Sequence, residues 1–394
     1  MVTEHHKFDI MLSGGRVIDP KNDIDQHLDI AISDGQIVAV ESELDKGAAK
    51  QVHDITGLIA VPGLIDLHTH FYHKATAYGV DPNPVAARSA IATMVDAGSA
   101  GAGNFAGLRD YVIEKSPFRL LTYINISYPG IFAFDWNYSV GEATIRDLLS
   151  VKHCVEVARQ NRDLIVGVKV RLGIGTSGNI GMEALECAIE AAEALDLPVM
   201  THIGKPPPTY RQILGRMRPG DVLTHCFRPS PNAPVDDSGV VLDALVEARE
   251  RGVLFDIGHG MGAFGFASAE AALNNGFKPD IISSDIHALC HQGPAFDLLH
   301  TMSKLIRCGL SLKDVIAMAT HAPATAMRRE NLGHLSVGAS ADISLVDTVK
   351  ANYPLEDVTG SQLQSEILLR PHGLYIGGQF INPTSREWES QWYS

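Results

Sequence analysis

Two histidines separated by one residue, His68 and His70, close the apolar run Leu64-Ile65-Asp66-Leu67. On an extended strand, residues two apart project to the same side, so both imidazoles face one way, as two ligands of one metal must. Taken alone, such a pair reads equally well as two hydrogen-bonded histidines at a strand end. Three more side chains of ligand type end other apolar runs: His202 after Pro198-Val199-Met200-Thr201, His225 after Val222-Leu223-Thr224, and Asp285 after Ile281-Ile282-Ser283-Ser284. Imidazole and carboxylate together suit zinc first, with manganese, iron or cobalt as substitutes.

A lysine joins this set. Lys169 stands inside the apolar run Leu164 to Val170, on the face of Arg171 and opposite Val168 and Val170. If the valines pack outward, both cations turn inward. A protonated lysine beside divalent metals would be repelled and costly to desolvate. Its neutral amine can instead take up carbon dioxide, and the carbamate is an anionic, two-oxygen bridge between metals. Without that context, a strand-end lysine snorkels to water. Arg171 could grip a substrate carboxylate with its guanidinium fork, or serve in a structural ion pair. Asn104, in Gly101-Ala102-Gly103-Asn104, and His259, in Gly258-His259-Gly260, stand where backbone can approach a ligand closely. With His73 and His287 they complete the candidates, and for each a role in loop structure fits as well.

These residues need a frame that brings strand ends together. Short apolar runs alternate with helical segments: Leu58 to Leu67, Thr93 to Ala97, Leu120 to Ile126, Leu164 to Val170, Pro198 to His202, Val222 to His225, Val253 to Ile257 and Ile281 to Asp285. The clearest helix is Met182 to Leu195, with Ala184, Leu185, Ala188, Ile189, Ala192 and Leu195 on one face. Eight such units predict an α/β fold, a (β/α)8 TIM barrel over residues 59–341, whose C-terminal strand ends meet at one mouth. Residues 1–58 read as short strands, with Asp34-Gly35 as a hairpin turn, and 342–394 read likewise. One small β-sandwich domain built from both termini accounts for the two together.

Composition narrows the function. The chain has 394 residues and a formal net charge of −14, with 20% charged and 45% hydrophobic residues, the profile of a packed globular protein. Nucleic acid and anionic membrane surfaces are excluded as partners on charge, leaving a small-molecule substrate and a possible homo-oligomer. No run is long and apolar enough to span a bilayer, and the first residues do not resemble a secretory signal. Five widely spaced cysteines fit a reduced, cytoplasmic protein. Gly173 to Gly178 matches G-x-G-x-x-G, but His202 stands at the next strand end where a ribose-binding acid belongs. Cys226, next to His225, should face outward into helix packing as an inert thiol.

The whole pattern resembles the amidohydrolase superfamily, in its binuclear, dihydroorotase-like branch. Val61-Pro62-Gly63-Leu64-Ile65-Asp66-Leu67-His68-Thr69-His70 resembles the family's opening, and Gly338 to Ile343 resembles its return into the terminal β domain. The resemblance implies one metal held by His68, His70, carbamylated Lys169 and Asp285, and a second held by the same carbamate with His202 and His225. It further implies two divalent ions, zinc by preference, a bridging hydroxide as nucleophile and Asp285 as the proton shuttle. Segments around Lys169, His202, His225 and Asp285 look most like deacetylases often labelled dihydroorotases. Dihydroorotases usually carry arginine two residues after the second histidine, where this chain has Tyr72. The expected function is therefore a deacetylase acting on an N-acetyl amino acid or O-acetyl hydroxy acid. A cyclic amidohydrolase of dihydroorotase or hydantoinase type is the alternative, and a non-catalytic scaffold of the same fold a remote one.

Overall fold

The computed structural model describes residues 6–383. Its strands in chain order are β1 (Phe8–Ser13), β2 (Arg16–Asp19), β3 (Ile24–His27), β4 (Asp29–Ser33), β5 (Gln36–Glu41), β6 (Ala49–Asp54), β7 (Ile59–Pro62), β8 (Leu64–Thr69), β9 (Ile91–Gly101), β10 (Arg119–Asn125), β11 (Ile165–Leu172), β12 (Val199–Ile203), β13 (Val222–Thr224), β14 (Leu254–Asp256), β15 (Ile343–Glu356), β16 (Gln362–Ile376) and β17 (Gln379–Ile381).

Strands β8 to β14 form one parallel sheet in sequence order, with helices such as Gly181–Leu195 packed outside. The ring closes through the segment after Ile281, which carries no regular ladder. It meets β14 at the Asp256–Ile281 bridge and β8 at the Thr69–Ile286 bridge. Backbone bonds from His70 to Ile286 (2.9 Å) and from Asp285 to His68 (2.7 Å) complete the seam. The fold is thus the expected TIM barrel. Ile65, Leu67, Val95, Leu121, Tyr123, Val166, Met200 and Val222 form one buried cluster, separate from the larger one in which Val168 and Val170 pack with the helices. Lys169 lies on the face opposite Val168 and Val170, as its spacing predicts, with Nζ at His68.

The terminal strands build two sheets, ordered β5-β4-β1-β6 and β17-β16-β15-β7-β2-β3. Leu12, Ile30 and Ile32 of the first share a core with Val17, Ile343 and Tyr375 of the second. At the β4–β5 hairpin Asp34 and Gly35 have φ of 50° and 73°, the left-handed pair that a type I′ turn requires. One boundary moves. The run Leu58 to Leu67 divides at Gly63, because Ile59–Pro62 pairs with β15 and β2, so the barrel starts at Leu64 rather than at residue 59. Gly63 is required at the break: a Cβ there would lie 2.6 Å from Ala92 and 2.9 Å from Asp342. Residues 384–394 of the expected C-terminal part lie outside the described residues, as do residues 1–5.

Candidate metal centre

The end of β8 and the closing segment bring His68, His70 and Asp285 together, with one ligand atom of each lying within 4.8 Å of the others. Asp285 Oδ1 is 3.2 Å from Nε2 of His68 and 3.2 Å from Nε2 of His70. The far nitrogens are already engaged. His68 Nδ1 bonds Thr224 Oγ1 at 2.8 Å, and Thr224 Oγ1 donates to Asp256 Oδ2 at 2.7 Å. His70 Nδ1 lies 3.0 Å from Ser99 Oγ and 3.0 Å from Tyr78 OH. With Nδ1 protonated, each Nε2 presents a lone pair to a carboxylate oxygen that is buried and accepts no hydrogen bond. Three electron-rich atoms in contact need a cation among them, so the residues present fit a divalent metal.

Three other strands complete the set. Lys169 on β11 is fully buried, its Nζ 3.4 Å from His68 Nε2. Burial lowers its pKa to about 7, so the amine is neutral over much of the physiological range. His225 Nδ1 donates to the Gly258 carbonyl at 2.7 Å, which leaves its Nε2 facing His202 Nδ1 at 2.7 Å. Burial pushes the imidazoles of His68, His202 and His225 well below their ordinary pKa and that of His70 to about 3, keeping all four in the neutral form a metal needs. His225 and Asp285 adopt positive φ, 72° and 47°. His225 directly follows β13 and Asp285 stands in the closing segment, and each takes a backbone cost that accompanies functional positions.

Several supports were not singled out from sequence. Asp66 accepts from the backbone and hydroxyl of Ser284, fixing the residue before Asp285. Asp256 accepts from Thr224 and Ser283. A carboxylate inside an apolar strand, as in Leu64-Ile65-Asp66 and Leu254-Phe255-Asp256, is the signal that could have found both. Gly258 and Gly260 wall the centre. A Cβ at the first would lie 2.2 Å from Thr224 Oγ1, and at the second 2.2 Å from Asp285 Oδ2. Gly98 admits the Lys169 stem, because a Cβ there would meet Lys169 Cβ at 2.6 Å. Cys226 is buried among the outward-packing residues, as expected of an inert thiol.

The substrate candidates separate into two groups. Arg171 and His287 stand beside the ligands: the Arg171 guanidinium lies over Phe134, 5.0 Å from its centroid, with Nε 3.6 Å from Glu142 Oε1. The His287 ring is 6.2 Å from that of His70. The others bond within loops. Asn104 accepts from Gly101 N at 3.0 Å and donates to Pro129 O at 2.9 Å, while His73 Nδ1 faces Phe71 O at 3.4 Å. His259 is fully buried, with Nδ1 at the Gly260 carbonyl and Nε2 2.8 Å from Lys304 Nζ. Tyr72 donates to the Asn104 carbonyl at 3.0 Å.

A closed parallel barrel whose strand ends gather four imidazoles, a lysine and a carboxylate defines a class before any comparison is made, and comparison agrees with it. The chain belongs to the amidohydrolase family, whose model matches residues 59–369. It is similar to Deacetylase Atu3266 of Agrobacterium fabrum, 34% identical over 88% of this chain and 85% of that protein. A deacetylase of Brucella anthropi is 33% identical over 88% of this chain and 86% of its own length. Among solved structures, an adenine deaminase superposes with a TM-score of 0.89 at 30% identity, covering 95% of this chain and 100% of that one. A dihydroorotase gives 0.85 at 32% identity, covering 95% and 98%. The protein is a metal-dependent hydrolase of this family. Among the described residues, no helix is long and apolar enough to cross a membrane.

Proposed function

We propose that the protein is a deacetylase that hydrolyses the amide or ester of a small acetylated carboxylic acid. The observation that carries this reading is the buried, unbonded Asp285 Oδ1 between two imidazole lone pairs, in a chain similar over most of its length to two deacetylases. His68, His70 and Asp285 would hold one divalent metal, zinc by preference, and His202 and His225 a second. Lys169 as a carbamate would join them. When bound, such a pair supplies a water acidic enough to attack at neutral pH and polarises the acetyl carbonyl.

The chain's own residues do the rest. Asp285, buried with Oδ1 3.2 Å from both imidazoles, is the carboxylate placed to accept a proton at the metal position. It takes the proton of the attacking water and returns it to the leaving nitrogen or oxygen. Gly260 leaves free the space that Asp285 Oδ2 occupies, where a Cβ would lie 2.2 Å from it. Arg171, aligned by Glu142 and Phe134, presents a guanidinium of fixed direction to the acid end of the substrate. Tyr72 supports this choice over ring opening of a dihydroorotate, since its hydroxyl is directed to a loop carbonyl and offers no cation. A panel of N-acetyl-D- and L-amino acids and O-acetyl hydroxy acids, assayed for acetate with metal content measured alongside, tests the reading. Acetate release by metal-loaded protein is expected, and turnover of dihydroorotate or hydantoins alone would contradict it.

A further inference from the structure

Arg228 follows His225 by three residues, in the loop that leaves β13 at the barrel mouth. It is 9% exposed, and among the described residues no carboxylate pairs with it. Its Nη1 donates to the carbonyl of Ile203, the residue after His202, and its buried Nε has no partner. A guanidinium carries five donors and cannot shed its charge, so one carbonyl leaves it electrically unanswered. Arg171 differs on this point, since Glu142 stands 3.6 Å from its Nε.

The backbone that carries Arg228 is held firmly. Its N–H donates to His225 O at 3.3 Å, and its carbonyl accepts from Ser268 Oγ at 3.0 Å. Further along the loop, Asn232 donates to Gly204 O at 3.0 Å and to Pro208 O at 3.1 Å, tying it to the loop after β12. Both His202 and His225 lie within reach of the Arg228 charge. A buried cation with no carboxylate paired to it among the described residues can be answered by an external anion.

We propose that Arg228 binds the substrate carboxylate, on the His202 and His225 side of the centre, and so makes the enzyme selective for acids over their neutral derivatives. The proposal rests on the deacetylase reading. A carboxylate matches the planar fork with two parallel hydrogen bonds and supplies the missing negative charge. Arg171 then orients the acid end, and Arg228 discriminates the charged acid from its neutral derivatives.

The test compares an N-acetyl amino acid that is turned over with its primary carboxamide, which differs only in charge at that end. The wild-type enzyme should favour the acid in kcat/KM by roughly 100-fold or more, as expected where a charge-assisted contact decides. Arg228→Met should cut that ratio by on the order of 10-fold to 100-fold, mainly through KM for the acid. Arg228→Lys should retain an intermediate ratio, a point charge without the fork. Equal losses on acid and carboxamide in Arg228→Met would mark a structural role and overturn the proposal. A wild-type ratio within about threefold of unity would overturn it without any variant, since charge then decides nothing. Acetate from the acid with an unchanged ratio in Arg228→Met sinks Arg228 alone, whereas a metal-loaded protein that releases acetate from no acetylated acid of the panel sinks the deacetylase reading and this proposal with it.

Discussion

The proposed function gives Asp285 two tasks, to complete a ligand set and to move a proton, and its surroundings make them compatible. Oδ1 faces the two imidazoles, while Oδ2 lies against Gly260. Asp285→Asn keeps a carbonyl oxygen for the metal and loses the proton acceptor. Its kcat should fall by on the order of 10²-fold to 10⁴-fold with metal content retained, as read by steady-state kinetics and elemental analysis. Near-normal turnover would remove Asp285 as the shuttle. At this scale the sequence was informative where a ligand type closed an apolar run, as at His68, His70, His202, His225 and Asp285. It was silent on Arg228 and Glu142, because the pairing of a cation depends on loops that meet only after folding. Lys169 was legible from strand parity only beside the pattern of strand-end histidines and Asp285.

Elements place these residues through turns more than through ladders. The loop Gly258 to Gly260 follows β14, takes positive φ at both glycines, 49° and 53°, and lies against His225 and Asp285. Gly260→Ala should therefore lose most activity with a small change in melting temperature, since the added Cβ moves the Asp285 carboxylate before it disturbs the core. A loss of activity matched by a collapse in melting temperature would contradict that. The same loop is tied to the helix Leu298–Arg307, where buried Lys304 donates to His259 Nε2 at 2.8 Å and to Pro294 O at 2.6 Å. Burial lowers the Lys304 pKa to about 7, against about 10.4 in an unfolded chain. Between those values the unfolded state binds a proton that the folded state does not, so this group makes stability rise with pH, by up to ~1.4 kcal/mol per unit. Below about 7 both states are protonated and the penalty is constant. Urea titrations of Lys304→Met at pH 6.5, 8 and 9.5 should show the wild-type rise flattened above roughly pH 7, and parallel profiles would refute it. These ties were not legible: a lysine in a helix reads as solvated, and the irregular closing segment carries no period to detect.

For the whole molecule, chemistry and stability occupy opposite ends of the barrel. The terminal sheets dock where strands begin: Arg119, first in β10, pairs with Asp342, and Ser344 receives the N–H of Leu64 at 3.0 Å and donates to Ala90 O at 2.6 Å. Arg119→Met should lower stability by about 1–3 kcal/mol in denaturant unfolding, with kcat/KM held within about twofold. A selective loss of activity would instead couple the terminal domain to the site. The barrel and the composite β domain were legible because periodicity and turn chemistry agree along most of the chain. The boundary at Gly63 was not, because one apolar run serves two sheets and only packing reveals the break. On the proposed reading, what would join the residues into one machine is the conversion of Lys169 from a buried amine to an anionic bridge. Carbon-13 NMR of zinc-loaded protein prepared in labelled bicarbonate measures this directly, with metal content determined on the same sample. The account predicts one carbamate resonance and two zinc ions per chain, the resonance disappearing in Lys169→Ala. Full metal occupancy with no carbamate carbon would contradict it.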